Sequence, residues 1–453
     1  MKHRDTILAP VTAQQNAAVG ILRLSGPQAK EILCRHFKPS AKAKNFPNPW
    51  QAYHGFLFDE NDSVLDEVLA LYFAAPKSFT GEDVVEFHLH GNQALMRRAA
   101  QALLFASPEL RPAQPGEFSR RAFANGKFDL TEAEALHALI TSESEAGIKA
   151  ALSSLDGALS RLISDFRSEL VALLALVEAG FEFPEEDIQT FDRAQAGESL
   201  SLIGKQLTEL DHGAQTGKAL DHGLIVALIG EPNTGKSTLL NALLVEDRAI
   251  VSDVAGTTRD VIEGILEVDG FRFRLRDTAG LNETPGSIEA IGIKKTQDQI
   301  EKSDVVLLVT DDPLKINTLA EKHGVKDKEF IVIFNKIDRF LDFVLADLPP
   351  KTIPVSAFTG KNVQNIREEL VNFAKSINSV QNSLHINARQ AVQLSRASSH
   401  LNQAKTHLCQ SEGFEELICE ELRLAIKALE EIIGLVTTDN VLDEIFSKFC
   451  IGK

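Results

Sequence analysis

Apolar residues in the first part of the chain come in short runs, Val19–Leu24, Val68–Phe73 and Val84–Leu89, parted by turn-formers. Runs of this length and spacing read as strands, and the proline-bearing stretch Phe46–Pro49 reads as a loop. Residues 1–120 therefore read as a compact α/β domain. From about residue 130 the apolar period lengthens. Thr131 and Glu134 fit a capping box. Leu152, Leu155, Leu159, Leu162, Phe166 and Leu170 fall at helical spacing, as one stripe. The pattern runs to about Leu210, and the polar, glycine-bearing segment Asp211–Gly223 reads as a linker. Between 224 and 378 strands and helices alternate, the pattern of a doubly wound sheet. Helical sequence returns at about 385, where Leu422, Ile426, Leu429 and Ile433 form a second stripe and Gly434 is placed to stop it. The simplest organisation is a multidomain α/β plus all-α chain. It has an N-terminal domain over 1–120, a helical domain over 121–215 plus 379–453, and a second α/β domain over 216–378 inserted in the helical one.

Composition narrows what such a chain does. Its 453 residues suit about three domains. The net charge of −17 argues against a broad basic nucleic-acid surface. Arg97-Arg98 and Arg120-Arg121 either touch nucleic-acid phosphates or are solvated surface pairs. The four cysteines, Cys34, Cys409, Cys419 and Cys450, are scattered without a CxxC pair. That points to a reducing compartment and to neither a disulfide framework nor a structural zinc. The first residues are charged and lack the apolar region of a signal peptide. No apolar run approaches the roughly 18 residues of a membrane span. A cytoplasmic protein with no membrane contact is expected. His88-x-His90 points two imidazoles to one face of a strand, but no third ligand stands at a defined spacing, so an ordinary pair of histidines is the simpler reading.

The inserted domain carries chemistry. Leu224–Ile229, fit for a buried strand, runs into Gly230-Glu231-Pro232-Asn233-Thr234-Gly235-Lys236-Ser237, a G-x-x-x-x-G-K-S phosphate loop. Its glycines allow a turn whose N–H groups face phosphate oxygens, and the helix from Thr238 adds its positive end. Lys236 can reach the β- and γ-phosphates, and the Ser237 hydroxyl can ligate Mg²⁺. Asp277-Thr278-Ala279-Gly280 follows the strand-like Phe271–Arg276. Asp277 is placed to hold Mg²⁺ through water, and the Gly280 N–H to meet the γ-phosphate. Between them, Thr257 or Thr258 is the candidate switch threonine, and Ser252 joins the candidate nucleotide contacts. Phe330–Phe334 leads to Asn335-Lys336-Ile337-Asp338. The Asp338 carboxylate can accept from guanine N1–H and the 2-amino group, both lacking in adenine, so such a site rejects ATP. Asn335 can serve the O6/N7 edge, Lys336 the base plane, and the Ser356-Ala357 backbone the O6. With all of these motifs in order, the chain reads as a GTP-hydrolysing switch. Where many small GTPases place a water-orienting Gln after DxxG, Leu281 stands here. Asn233 is either a turn residue or the ligand of a monovalent cation beside the phosphates. Glu289 is either an exposed helix carboxylate or a group that orients water from a distance.

Beyond these motifs, the chain resembles the MnmE (TrmE) family of tRNA-modification GTPases nearly end to end. The resemblance rests on Asp5-Thr6-Ile7, Gly20-Ile21-Leu22-Arg23-Leu24-Ser25-Gly26, Ser78-Phe79-Thr80-Gly81-Glu82-Asp83 and Pro115-Gly116-Glu117-Phe118. It continues through Gly256-Thr257-Thr258-Arg259-Asp260, Asp277-Thr278-Ala279-Gly280-Leu281 and the terminal Phe449-Cys450-Ile451-Gly452-Lys453. The resemblance implies a dimerising, folate-binding N-terminal domain and a Ras-like G domain inserted in a helical domain. It implies potassium-dependent GTP hydrolysis by paired G domains in a homodimer. It also implies a flavoprotein partner, MnmG, with which the wobble uridine of tRNA gains an aminomethyl or carboxymethylaminomethyl group at C5. Under it, Asn233 ligates K⁺ with the loop around Thr257 and Thr258, Ser237 and Thr258 ligate Mg²⁺, and Glu289 orients the attacking water. Arg23, Glu82, Lys127 and Lys453 match contacts to 5-formyltetrahydrofolate or a related folate. Cys450 reads as a small buried hydrophobe on its own, or as a group near one-carbon chemistry under the resemblance. The chain departs from the family at Thr12–Ala18, where a Gly/Arg-rich stretch is usual, and at Glu231, where Arg is common. The competing readings are a ribosome-assembly GTPase, which would bring a basic RNA-binding module not seen here, and a folate-binding scaffold with vestigial GTPase function.

Overall fold

The structure is a computed structural model that describes residues 5–41, 45–105, 108–182, 193–244, 262–277, 297–322, 324–325, 328–340, 348, 351–378, 384–410 and 415–452. The chain divides into two compact units, Met1–His137 with Leu429–Lys453, and Ala138–Ala428. Among the described residues no helix is long and apolar enough to cross a membrane.

The first unit is built on strands β1 (Thr6–Pro10), β2 (Val19–Ser25), β3 (Phe37–Pro39), β4 (Ala52–Phe58), β5 (Val64–Phe73), β6 (Val84–His90) and β7 (Leu110–Pro112). Their order in the sheet is β3-β4-β5-β6-β2-β1-β7. β1 pairs parallel with β7, and the other neighbours pair antiparallel. All three apolar runs of the sequence lie inside strands. One face, with Leu22, Leu24, Tyr53, Leu57, Val68, Ala70, Val85 and Phe87, packs against Ile32 and Leu33 of the helix Ala29–His36 and Ala99 and Leu103 of the helix Gln93–Leu104. The two-residue period then sends Arg23 and its cross-strand partner Glu86 to the other face.

The helix Leu130–Thr141 starts on a different cap from the expected one. The Asp129 carboxylate accepts from the Glu132 N–H at 2.9 Å, and the Glu132 carboxylate accepts from the Asp129 N–H at 2.8 Å. Thr131 donates its hydroxyl to Asp129 Oδ1 at 2.8 Å. An ionised carboxylate is the stronger acceptor, so the box closes two residues earlier than Thr131–Glu134. Leu130 and Ala133 pack with Ile445, Phe446 and Phe449 around the C-terminal helix Asp439–Ser447. The tail ends against β1: a Cβ on Gly452 would stand 2.4 Å from the Pro10 carbonyl oxygen.

In the second unit the predicted single stripe is split. Helices Glu145–Leu155 and Ala158–Glu182 are separated at Gly157, where φ is +78°. Leu159, Phe166 and Leu170 are buried and Leu152 is exposed. Helical spacing carries across the break, so periodicity alone did not reveal it. The predicted linker Asp211–Gly223 is instead the end of a helix, Arg193–His222, which stops at Gly223 with φ +81°. Polarity misled there. A helix ends where the backbone must turn, and a Cβ at Gly223 would stand 2.9 Å from the Arg272 carbonyl oxygen.

The same unit holds β8 (Leu224–Ile229), β9 (Ile262–Val268), β10 (Phe271–Asp277), β11 (Val305–Thr310), β12 (Phe330–Phe334) and β13 (Thr352–Pro354). The sheet order is β13-β12-β11-β8-β10-β9, parallel throughout except between β9 and β10. Helices Lys236–Leu244 and Val363–Asn378 cover one face and Ile316–Lys322 the other. Chain order reverses at β8, which has β10 on one side and β11 on the other. The carboxyl ends of strands at such a switch point form a crevice for a ligand.

Gly434 ends the helix Glu415–Ile433 with φ +82°, and a Cβ there would stand 2.8 Å from the Leu130 Cβ. Gly434→Ala is expected to destabilise the first unit by roughly 1–3 kcal/mol. Trp50, the single tryptophan, lies in that unit, so its fluorescence during urea unfolding reads the change. An unchanged midpoint would show that this turn relaxes without cost.

Candidate functional site

β8 delivers the phosphate loop into the crevice. Gly230 lies so close to β11 that a Cβ would stand 2.1 Å from the Val309 carbonyl oxygen. Asn233 and Gly235 take φ of 64° and 91°. The loop thus turns back onto the start of the helix Lys236–Leu244, where free N–H groups favour an anion. Lys236 is buried, and its ammonium donates to the carbonyls of Gly230 at 2.9 Å and Glu231 at 2.8 Å. Burial pulls its pKa below the usual lysine value, against the opposing pull of the Asp277 carboxylate. A cation held out of water in this way interacts strongly with an incoming phosphate. Thr234 is buried and donates its hydroxyl to the Glu231 carbonyl at 2.9 Å, while Thr238 is exposed on the first helical turn.

The Ser237 hydroxyl donates to Asp277 Oδ2 at 2.7 Å. Two hard oxygens, one of them anionic, on converging elements are the donor set Mg²⁺ prefers. Asn233 is exposed, and its amide oxygen is a neutral donor of the kind a weakly held monovalent cation takes. Glu231 does not leave the loop with unopposed negative charge: Lys315 pairs with it at 2.6 Å, and its pKa is raised by that contact.

The base motif is tied to the phosphate loop by its own side chains. Asn335 is 1% exposed. Its Nδ2 donates to the Thr234 carbonyl at 2.9 Å, and its Oδ1 accepts from the Ala357 N–H at 3.0 Å. Both ends of the amide are thus engaged inside the protein, so Asn335 holds three loops together, while its second N–H and second lone pair remain for the O6/N7 edge. The Ser356 N–H likewise donates to the Lys361 carbonyl at 3.0 Å. Lys336, at φ 64°, donates to the Asn233 carbonyl and to Asp311 Oδ2 at 2.6 Å. Ser356 donates its hydroxyl to Asp338 Oδ1, which orients a carboxylate that is itself exposed at the mouth of the crevice. Asp311 and Lys315 were not legible as partners. The position of Asp311 just past the carboxyl end of β11 was the available signal for it, and Lys315 carried none. Ser252, Thr257, Thr258, Thr278, Ala279, Gly280, Glu289 and Lys453 lie outside the described residues.

A second cluster forms in the first unit. Arg23 bonds Glu86 at 2.8 Å, reaches the Gly452 carbonyl at 3.4 Å, and lies 5.4 Å and 5.7 Å from the ring centres of Phe79 and Phe118. Glu82 Oε2 accepts from the Ser25 hydroxyl at 2.8 Å and from Arg121 at 3.2 Å. Lys127 is exposed, with its ammonium on the Pro76 carbonyl at 3.1 Å. Cys450 is exposed, which overturns its reading as a buried hydrophobe. Arg121 is fully buried, so the surface reading of Arg120-Arg121 holds only for Arg120, which pairs with Asp443 at 2.7 Å. Arg97 is exposed, and Arg98 pairs with Asp59 at 2.8 Å. His88 and His90 each meet a carboxylate, of Glu86 and Asp66, and among the described residues no three His, Cys, Asp or Glu side chains are placed to hold a metal ion. The Thr12–Ala18 stretch is pinned by the Ala17 N–H on the Gly91 carbonyl at 3.0 Å and by Gln93 Nε2 on the Gln14 carbonyl at 2.7 Å.

Both clusters yield measurable expectations. Asn335→Ala leaves the buried Thr234 carbonyl and Ala357 N–H unpaired, at about 1–3 kcal/mol for each group. It should weaken GTP binding by roughly tenfold or more in a fluorescent-nucleotide titration. Unchanged affinity would remove the clamp from the site. In the first unit, burial raises the pKa of Asp5, Glu86 and Glu117, and is outweighed by Arg121 and Arg111 at Asp5, by Arg111 at Glu117, and by His88 and Arg23 at Glu86. All three folded values lie below the ordinary 3.8 or 4.5. The stabilisation they contribute is therefore complete above those ordinary values and is lost as pH falls through the folded ones. Trp50 fluorescence melts should fall as pH drops below about 5. Arg111→Gln should flatten the acid limb. A variant with the wild-type slope would exclude the arginine as its source.

Comparison with known proteins gives consistent matches along the chain. A model described as the MnmE helical domain matches residues 130–450, and one described as the N-terminus of the GTP-binding protein TrmE matches residues 6–127. The chain is 39% identical over 458 residues to the tRNA modification GTPase MnmE of Aquifex aeolicus strain VF5, covering 99% of this chain and 100% of that protein. It is 37% identical over 469 residues to that of Bacteroides thetaiotaomicron, covering 100% of both, and 40% identical over 457 residues to that of Xylella fastidiosa strain 9a5c, covering 100% and 99%.

Proposed function

Because the chain belongs to the MnmE family of tRNA-modification GTPases, we propose that it hydrolyses GTP to GDP and phosphate in a potassium-dependent reaction. With an MnmG-like flavoprotein, it installs an aminomethyl or carboxymethylaminomethyl group at C5 of the tRNA wobble uridine. The observation that carries the nucleotide reading is the Asn335 amide, bonded to Thr234 in the phosphate loop and to Ala357 beside the base motif. It joins the phosphate loop to the segment beside Asp338, and that link supports reading the two as ends of one nucleotide site.

In this reading Gly230, Thr234, Gly235, Lys236 and Thr238 hold the phosphates. Ser237, Asp277 and Thr258 gather around Mg²⁺, with Ser252, Thr278, Ala279 and Gly280 lining the same end. Asn233 and the Thr257–Thr258 loop hold K⁺. The two cations would supply positive charge opposite the negative charge on the oxygens of the transferred phosphoryl group. Glu289 orients the attacking water, a role that Leu281 has no chemistry to fill. Asp338 reads guanine N1–H and its 2-amino group, Asn335 serves the O6/N7 edge, Lys336 lies along the base, and Ser356 and Ala357 close the pocket. Arg23, Glu82, Lys127 and Lys453 hold 5-formyltetrahydrofolate or a related folate, beside Cys450. Glu82 fits a pterin N–H edge, because one of its oxygens is already anchored. Lys127 fits a carboxylate of the folate tail, because its ammonium stands at the surface. Arg23 fits less freely, as Glu86 already engages it. The molecule works as a cytoplasmic homodimer, with the folate domain over 1–120, the G domain over 216–378 and the helical domain over 121–215 plus 379–453. With a net charge of −17, much of the grip on tRNA falls to the flavoprotein.

The test is GTP hydrolysis by the full-length protein in potassium and in sodium chloride at equal ionic strength. Potassium should accelerate turnover by roughly tenfold or more, about 1.4 kcal/mol of transition-state stabilisation. Equal, slow rates in both salts would remove the cation from the mechanism and leave a generic switch.

A further inference from the structure

Arg121 has no solvent exposure, yet carries a full charge. Nη1 donates to the Asp5 carbonyl at 3.0 Å and to Glu82 Oε2 at 3.2 Å. Nη2 donates to Asp5 Oδ1 at 3.0 Å and to Glu117 Oε1 at 2.9 Å. Its Nε has no partner. A buried ion cluster is weak evidence for stability, since apolar residues of similar volume often serve stability as well or better. The arginine therefore calls for another reason.

The partners separate along that line. Asp5 and Glu117 already have a cation in Arg111, which meets Asp5 Oδ2 at 2.7 Å and both oxygens of Glu117. Glu82 does not share it. Among the described contacts its carboxylate meets one cation, Arg121, and one neutral donor, the Ser25 hydroxyl, which also bonds Thr80 at 2.7 Å. Both donors fall on Oε2, so Oε1 is the oxygen left to a ligand. Two donors on one oxygen fix the rotamer of a carboxylate more tightly than either does alone.

We infer that Arg121 is a positioning residue for the folate site: anchored on Asp5 and Glu117, it holds Glu82 so that Oε1 faces the N–H edge of the pterin. Arg121 itself does not touch the ligand. The inference rests on the folate reading of Glu82 proposed above.

The experiment is a calorimetric titration of the full-length protein with 5-formyltetrahydrofolate. It compares wild type, Glu82→Gln, Arg121→Lys and the double variant, with Trp50 fluorescence melts run alongside. Lysine keeps the charge and loses the fork that spans three carboxylates. Each single variant should weaken Kd by roughly ten- to a hundredfold. The double variant should bind no worse than Glu82→Gln alone, because the two act through one contact. A merely structural arginine would lower the melting temperature and give additive losses. Wild-type affinity in Arg121→Lys, or additive losses, would overturn the inference while leaving the folate reading intact. Failure of the wild type to bind would overturn that reading and this inference with it. If Arg121→Lys does not fold, Ser25→Ala removes the other donor on Oε2. It should weaken Kd by roughly threefold or more, and lose that effect in the Glu82→Gln background. No weakening would overturn the inference.

Discussion

The Asn335 amide is a small group in a place where nothing can replace it. It is buried, and its two ends meet a carbonyl of the phosphate loop and an N–H of the 356–357 turn. Those segments follow three different strands, β8, β12 and β13, and strand ends by themselves do not fix loops against one another. A buried polar group left unpaired costs more than a made bond contributes, so the amide favours the three loops holding one arrangement together. The remaining contacts follow from that arrangement. Lys336 reaches the Asn233 carbonyl because its own loop is already held, and Asp338 meets Ser356 across the same turn. Among the described residues these three loops are thus tied to one another by the protein's own side chains, and ordering held in this way lowers the cost of binding.

Charge is handled in a similar way in both units: several of the described ionic groups close to a site face a partner of opposite charge. Glu231 faces Lys315, Lys336 faces Asp311, Arg23 faces Glu86, and the Asp5–Glu117 pair is shared by Arg111 and Arg121. Lys236 differs. Its ammonium is buried on neutral carbonyls, and its pKa is depressed as a result. That leaves its charge largely uncompensated by contact ion pairs, where an anionic phosphate is to sit. In an acidic chain this local pairing decides what each site attracts more than the net charge does.

Strand positions and the phosphate loop were readable because they follow from nearest-neighbour chemistry. Gly235 must take positive φ, an apolar run such as Leu224–Ile229 suits a buried parallel strand, and Gly434 must stop its helix. The misreadings share a cause. The break at Gly157, the helix through Asp211–His222 and the Asp129 cap each depended on what the segment meets in space or on a competition between two acceptable local answers. Arg121 shows the limit most clearly. Beside Arg120 it looks like half of a surface pair, and a step of one residue, about 100° around the helix Glu117–Ala124, puts one arginine on Asp443 at the surface and the other among three carboxylates in the interior.

By itself the sequence determined the chemistry available: a phosphate-loop pattern, a carboxylate suited to guanine, a hydroxyl and a carboxylate of the kind magnesium takes, and family motifs from Asp5 to Lys453. Motifs of this kind are short, and backbone conformation with one or two side chains defines them. Only the tertiary structure decided which groups face a ligand and which hold other groups in place. Asn335 gained the role of a clamp between loops, and Arg121 moved from surface charge to buried anchor. The physical reason is that a polar side chain's role is set by the partners that satisfy its hydrogen bonds, and those partners come from segments far apart in the chain.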